Sequence, residues 1–336
     1  MRAPSFWLAS PPTLLAQALR PFGTIYGAIT ARRMKKAGAR PGAPVITIGN
    51  FTAGGAGKTP VALAVARLLL AQGERPAFVS RGYGGAAARG SALRVNGQNW
   101  REVGDEPLLL AQAAPTFVGA DRAAAAALAV DEAGPTALVL DDGLQSRQVE
   151  PDLAIGVVDG ATGIGNGFCL PAGPLRAPLS AQLPHVQALV VVGAGAAGDA
   201  VAAQAMQAGA KILRARLAPD ARALALKGED VVAFAGIGLP DKFFRTLEEI
   251  GARIVERRDF PDHFPYSSAD LAELIALAQE KKARLVTTQK DALRLPALPE
   301  GTPLPLAIPV QIAFEDEEAA SALLAEALAR ARPWKA

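Results

Sequence analysis

Residues 44–60 read "PVITIGNFTAGGAGKTP". The first seven are a short apolar, β-rich run, the pattern of a strand. From Pro60 the chain continues "PVALAVARLLLAQG" to residue 73, a helix with proline at its start and glycine past its end. A glycine-rich loop ending Gly57-Lys58-Thr59 lies between them. Strand, glycine loop, lysine, hydroxyl residue and helix, in that order, make a phosphate-binding loop. Its backbone N–H groups and the helix N-terminus hold phosphate oxygens. The binding stretch is then Thr52, Ala53, Gly54, Gly55, Ala56, Gly57, Lys58 and Thr59. Lys58 is placed for the β and γ phosphates of a nucleotide, and Thr59 for Mg²⁺. The usual pattern has glycine where this chain has Thr52. That change is tolerated if Thr52 is extended. Some ATPase loops without the first glycine carry a lysine before the double glycine, where this chain has Ala53. The competing reading is a glycine-rich turn that only caps a helix.

The rest of the chain fits a nucleotide-binding sheet. Strand patterns recur at 76–80, 115–120, 136–143, 153–160 and 188–194, with helices at 107–114 and 121–134 between them. This alternation predicts a doubly wound α/β domain with a mainly parallel sheet. A second, smaller α/β unit begins near residue 220, with strands at 231–237, 252–260 and 283–292 and helices at 240–251 and 268–282. The expected division is a basic arm (1–40), a P-loop domain (41–218) and a smaller α/β domain (219–336). The last boundary is soft, and a C-terminal helix at 316–332 suits either domain.

A P-loop needs an acid at a nearby strand end. "LVLDDG" supplies Asp141 and Asp142; the alternative is a polar turn. In "EVGDEP" (102–107), Asp105 is either a cap for the helix near Pro107 or a catalytic carboxylate. His263 lies in the loop "DFPDHFPYS", a position that alone assigns no role.

Of the 336 residues, half are hydrophobic and a fifth charged, enough for a large core and against wholesale disorder. A single cysteine, Cys169, excludes an intramolecular disulfide and fits a reducing compartment. With two histidines it makes no cysteine/histidine zinc site. The first 40 residues carry seven basic residues and no acid, whereas the whole chain has 35 basic and 32 acidic residues. A basic arm on a mildly acidic body points to an anionic surface. Leu15, Leu19, Phe22, Tyr26 and Ile29 share one helical face, with Trp7 before them and Arg32, Arg33, Lys35 and Lys36 after. Gln17, Arg20 and Pro21 interrupt the apolar run, so an interfacial helix is expected rather than a spanning one. A helix packed on its own domain is the second reading, and the two are compatible. A transit peptide is a weaker third, and no secretory signal is evident. An acidic body and few aromatics near the basic cluster argue against nucleic acid.

Seven stretches together resemble the tetraacyldisaccharide 4'-kinase family of lipid A biosynthesis: "VITIGNFTAGGAGKTP", "SRGYGG" (80–85), "VGDEP" (103–107), "LDDGLQ" (140–145), "LPAGPLR" (170–176), "DFPDHFPY" (259–266) and "TTQKDALRL" (287–295). The resemblance implies two α/β/α domains with the active site in the cleft between them. It implies ATP and Mg²⁺, and phosphorylation of the 4'-hydroxyl of an acylated glucosamine disaccharide 1-phosphate. It implies a peripheral or monotopic enzyme on the cytoplasmic face of the bacterial inner membrane, which the arm at residues 1–40 would contact; no obligate protein partner is evident. Carried onto this chain, Lys58, Asp105 and His263 are catalytic, Asp105 as the base with His263 assisting. Thr59, Asp141 and Asp142 serve Mg²⁺, and Glu106, Arg122 and Arg176 line the phosphate and substrate region. Two positions depart from the family: Ala177 and Gln289 stand where glutamate is usual. A membrane-docked nucleotide-switch ATPase or GTPase is the competing function.

Overall fold

The computed structural model describes residues 4–55, 57–297 and 302–332; Ala56 of the loop lies outside them. The strands, in chain order, are β1 (Val45–Asn50), β2 (Pro76–Ser80), β3 (Leu93–Arg94), β4 (Thr116–Val118), β5 (Ala137–Asp141), β6 (Leu153–Asp159), β7 (Ala188–Val192), β8 (Lys211–Pro219), β9 (Asp230–Ala235), β10 (Arg253–Asp259), β11 (Arg284–Thr288), β12 (Leu306–Ile308) and β13 (Val310–Phe314). They form two sheets, ordered β13-β8-β7-β6-β1-β5-β2-β4-β3 and β10-β9-β11-β12. From β8 to β4 the large sheet is parallel, and short β3 runs antiparallel on its edge. The small sheet is parallel throughout.

Alternate residues of each central strand serve opposite faces of the large sheet. Ile46, Ile48, Phe78, Val139, Ile155 and Val190 join helices Lys58–Ala71 and Glu317–Ala331 in one apolar cluster. On the other face, Val45, Ala77, Val79, Leu138 and Leu140 meet helix Arg122–Ala133. Ala154, Val158, Leu189 and Val191 meet helix Ala196–Gln207. The small sheet repeats the scheme. Val231, Ala233 and Ala235 pack on Phe243, Phe244 and Leu247, while Val232 and Phe234 pack on Leu271, Leu274 and Ala278.

The compact units are Ala3–Leu217 with Ile312–Ala336, and Ala218–Gln311. The expected boundaries therefore shift at the C-terminus. β13 joins the large sheet beside β8, and Leu323, Leu324 and Leu328 of the last helix enter the larger unit's core. Arg67–Glu317 and Lys211–Glu326 ion pairs fasten the outer face of that helix. Residues 283–292 also differ from expectation. The strand stops at Thr288, whose hydroxyl accepts from the Asp291 N–H and begins a helical turn.

The N-terminal arm is part of the larger unit. Helix Leu14–Met34 begins at Thr13, whose side chain accepts from the Ala16 N–H. Ala16, Gly23, Gly27, Thr30 and Met34 are its buried stripe. A Cβ at Gly23 would come within 2.5 Å of the Cys169 carbonyl oxygen, so only glycine permits this approach. Of the predicted apolar face, Leu15, Phe22, Tyr26 and Ile29 are exposed and Leu19 is half-buried. Leu14 and Ile25 widen the exposed apolar surface, and Arg32, Arg33, Lys35 and Lys36 are exposed at the helix end. Trp7 is only half-exposed, and its indole N–H donates to the Pro171 carbonyl at 3.0 Å. Among the described residues, no helix is long and apolar enough to cross a membrane.

Candidate active site

The parallel strands bring their C-terminal ends, and the loops that follow, to one edge of the large sheet. In doubly wound sheets that edge binds ligands. β1 and β5 are neighbours there, with Ile48 paired to Asp141. The glycine loop after β1 thus meets the two aspartates closing β5.

Thr52 answers the question of the missing glycine. It is extended and forms an antiparallel bridge with Leu175. Its carbonyl accepts from Arg176 Nε at 3.1 Å, and the Ala53 N–H donates to the Pro174 carbonyl at 2.7 Å. A strand pairing with "LPAGPLR" fixes the loop entry, so glycine is not needed at that place. Further on, Gly54 and Gly57 have φ of 117° and 86° and do need it. A Cβ on Gly54 or Gly55 would meet nothing within 4 Å, so the backbone there is open to approach.

Thr59, buried at the helix start, donates its hydroxyl to Asp141 Oδ2 at 3.1 Å. Asp142 lies at the centre of a cationic cluster. Arg176 Nη1 donates to both its oxygens, at 2.8 and 3.0 Å, and Lys58 Nζ is 3.8 Å from Oδ1. The buried Arg122 guanidinium donates to the Asp142 carbonyl at 2.9 Å. Burial alone would raise the Asp142 pKa, but Lys58, Arg176 and Arg122 together outweigh it and hold the carboxyl below its ordinary range. The Arg122 pKa is lowered, first by burial and then by Arg81 and Arg176. Arg122 Nε and Asn50 Oδ1 are buried with no hydrogen-bond partner among the described residues. Unsatisfied buried polar atoms beside an open glycine loop suit a polar ligand.

Asp105 is buried in the first turn of helix Asp105–Ala111. Gly104, not Asp105, holds the capping position, and Asp105 Oδ1 accepts from the Glu106 N–H at 2.9 Å. Glu106 is half-buried beside it. A Cβ at Gly104 would lie 2.5 Å from the Tyr83 carbonyl oxygen, and one at Gly85 would lie 2.5 Å from the Gly104 nitrogen. Two glycines thus lock "SRGYGG", at the end of β2, against "VGDEP". Asp105 is held on the same sheet edge as the P-loop.

His263 belongs to the smaller unit, where it has a left-handed backbone (φ 58°) and sits 3.9 Å from Asp262. Side-chain contacts bring Thr52, Lys58, Thr59, Arg122, Asp141, Asp142 and Arg176 together into one cluster.

Two glutamines escaped the sequence reading. Gln182, fully buried, donates to the carbonyls of Phe51 (3.2 Å) and Ala177 (2.7 Å). Gln145 donates to Gln182 Oε1 (2.8 Å) and to the Asn50 carbonyl (2.6 Å), and Arg176 reaches Gln145 at 3.3 Å. Apart from Ala177, five residues from Gln182, these partners lie 31 to 131 residues apart, beyond the reach of any local pattern. Ala177, the departure from the family, is fully buried in the apolar cluster with Leu175 and Leu179.

The parallel sheet, the lysine- and threonine-bearing loop and the acid pair beside it define a P-loop phosphotransferase. The sequence model of one family, tetraacyldisaccharide-1-P 4'-kinase (LpxK), matches residues 15–329. The tetraacyldisaccharide 4'-kinase of Methylobacterium radiotolerans is 52% identical over 322 residues, spanning 95% of this chain and 96% of the relative. That of one Methylorubrum extorquens strain is 51% identical over 331 residues, spanning 98% of this chain and 100% of the relative. Among solved structures, "apo" form LpxK from Aquifex aeolicus in complex with ATP superposes with a TM-score of 0.74 at 26% identity. The alignment covers 94% of this chain and 100% of that one. The chain belongs to the tetraacyldisaccharide 4'-kinase family and is a kinase of lipid A biosynthesis. Family membership displaces the nucleotide-switch reading.

Proposed function

We propose that this chain transfers the γ-phosphate of ATP to the 4'-hydroxyl of a tetraacylated glucosamine disaccharide 1-phosphate through the cluster at the β1 and β5 ends. The observation carrying this reading is the joint placement of Thr59 on Asp141 and of Lys58 and Arg176 on Asp142. Backbone N–H groups of Gly54, Gly55 and Gly57 cradle the phosphates, and Lys58 leaves Asp142 for the β and γ oxygens. Arg122 and Arg176 offset charge on the transferring group.

Thr59 and Asp141 provide hard oxygen donors, and Asp142 a third beyond them, a set that suits Mg²⁺ completed by phosphates and water. Held by Thr59 and Asp141, Mg²⁺ would neutralise charge on the phosphates. Asp105 accepts the proton of the sugar hydroxyl as the new P–O bond forms, and His263 assists.

The acceptor carries acyl chains, so the exposed apolar face of helix Leu14–Met34 and its basic end serve as the contact with the inner membrane on its cytoplasmic face. The test is purified protein with γ-labelled ATP and tetraacyldisaccharide 1-phosphate in mixed micelles. Label in a bisphosphorylated disaccharide lipid, dependent on Mg²⁺, supports the reading. ATP hydrolysis without labelled lipid removes it.

A further inference from the structure

In the smaller unit, the peptide of Gly236, just after β9, is gripped from three directions. Its N–H donates to Asp291 Oδ1 at 3.0 Å. Its carbonyl accepts from Arg294 Nη1 at 2.8 Å and from the backbone N–H of His263 at 3.0 Å. The Tyr266 hydroxyl donates to the same Asp291 oxygen at 3.0 Å, and the Thr288 hydroxyl to the other at 2.6 Å. Arg294 Nη1 is also 3.1 Å from Asp291 Oδ1. Asp291, Arg294, Tyr266 and Thr288 are all buried.

Stability alone is a poor reason for such a cluster. Burying an ion pair carries a desolvation cost, and apolar side chains of similar volume often serve stability as well or better. An apolar set cannot fix the direction of a carbonyl. Here the fixed carbonyl is the one receiving the His263 N–H. His263 occupies a left-handed backbone region that non-glycine residues use sparingly, so it needs such an anchor. The loop also leans on the same tyrosine. The Phe260, Phe264 and Tyr266 rings lie 4.8 to 5.1 Å apart, with Phe234 5.4 Å from Tyr266. A Cβ at Gly236 would sit 2.9 Å from the Tyr266 hydroxyl and 3.1 Å from Asp291 Oδ1, so glycine is what lets these two groups close on the peptide.

We propose that Asp291, Tyr266 and Arg294 are positioning residues for His263, acting through the Gly236 peptide. "TTQKDALRL" and "DFPDHFPY", separate in sequence, are then two halves of one device. The proposal rests on the reading of His263 as an assistant in phosphoryl transfer.

Tyr266→Phe removes one hydroxyl and keeps the ring packing. The expected result is a kcat about tenfold lower at unchanged KM for ATP, as for a slightly misplaced catalytic group. In a His263→Ala background the same change should lower kcat no further. Equal losses in both backgrounds would overturn the proposal. A second readout is independent of catalysis. The chain has two histidines, so selective ¹⁵N-histidine labelling gives two backbone amide signals, assigned with a His185→Gln variant. Tyr266→Phe and Asp291→Asn should shift or broaden the His263 amide and leave the His185 amide in place. An unmoved His263 signal in both folded variants overturns the positioning role. If His263→Ala is fully active, the assistant role of His263 falls while the amide shift still decides whether the cluster positions its loop.

Discussion

The Thr59 hydroxyl donates to the Asp141 carboxylate at 3.1 Å across 82 residues of sequence. It ties the first turn of the P-loop helix to the neighbouring strand end, inside a buried setting where the bond is not in competition with water. Thr59→Ser keeps the hydroxyl and should retain most activity. Thr59→Val keeps the shape and loses the oxygen, and should lower kcat by about two orders of magnitude while raising the Mg²⁺ concentration needed for half-maximal rate. Magnesium titration of both variants checks this. Equal behaviour of the two would remove the hydroxyl from the metal site.

Asp142 is the counter-charge for Lys58, Arg176 and Arg122, and its pKa is depressed in the folded protein. A depressed carboxyl stabilises the fold at pH values above its unfolded pKa, and that contribution disappears as pH falls through the folded value. Asp142→Asn should therefore lower Tm by several degrees at pH 7. The gap between variant and wild type should close in acid, below the ordinary carboxylate range. Melting curves across pH measure it. A gap constant with pH would mean that the loss comes from packing and not from charge.

Much of this was legible in the sequence because it is local. A P-loop is contiguous, its strand and helix have opposite periodicities, and "LVLDDG" announces a strand ending in acids. Alternating strands and helices gave the two α/β units. What stayed hidden depends on contacts across long separations. The Thr52–Leu175 bridge, the Gln182–Gln145 relay and the glycine-to-glycine approach of residues 85 and 104 have no local signature. The C-terminal helix has an apolar face that either unit would accept, and only the edge pairing of β13 decides. For the arm, periodicity found the apolar face but not the small-residue stripe at Ala16, Gly23 and Gly27 that buries the opposite one.

Asp105 follows a glycine cap and is buried in the first turn of its helix. If it takes the proton of the acceptor hydroxyl, Asp105→Asn should reduce kcat by about 10²- to 10⁴-fold, the usual worth of a general base, with KM for ATP little changed. If it only supports the helix, the variant should instead show a lowered Tm and near-normal turnover. Steady-state kinetics beside thermal melts of one preparation separate the two outcomes.

Gly104 combines φ of 88° with a carbonyl 2.5 Å from where a Cβ would stand. Gly104→Ala must therefore push "SRGYGG" away from "VGDEP" and strain its own backbone. A Tm loss of several degrees and a fall in kcat are expected together. Gly97→Ala is a control of similar backbone strain, because Gly97 also has positive φ (80°) but nothing within 4 Å of its would-be Cβ. It should cost stability without touching turnover. Equal kinetic effects of both changes would mean that strain anywhere in this loop region suffices.

If the exposed face of the N-terminal helix contacts the membrane, folding and membrane contact can be tested apart, because its buried stripe and its exposed apolar face are different residues. Gly23 and Gly27 bring it against Cys169, and truncating the arm would uncover that surface. Phe22 and Ile25 are more than 60% exposed, so polar replacements there remove little from the core. Phe22→Ser with Ile25→Ser should leave Tm within a degree or two. Binding to vesicles containing anionic lipid should weaken about tenfold or more, from the loss of two large apolar side chains at the interface. Charge reversal of Arg32, Arg33, Lys35 and Lys36 should weaken binding at low salt and matter less at high salt, because screening removes that contribution first. Vesicle sedimentation at two ionic strengths reads both effects. If the serine pair binds vesicles as tightly as the wild type, the exposed stripe is not the membrane contact. If the serine pair also loses its fold, the stripe is part of the core.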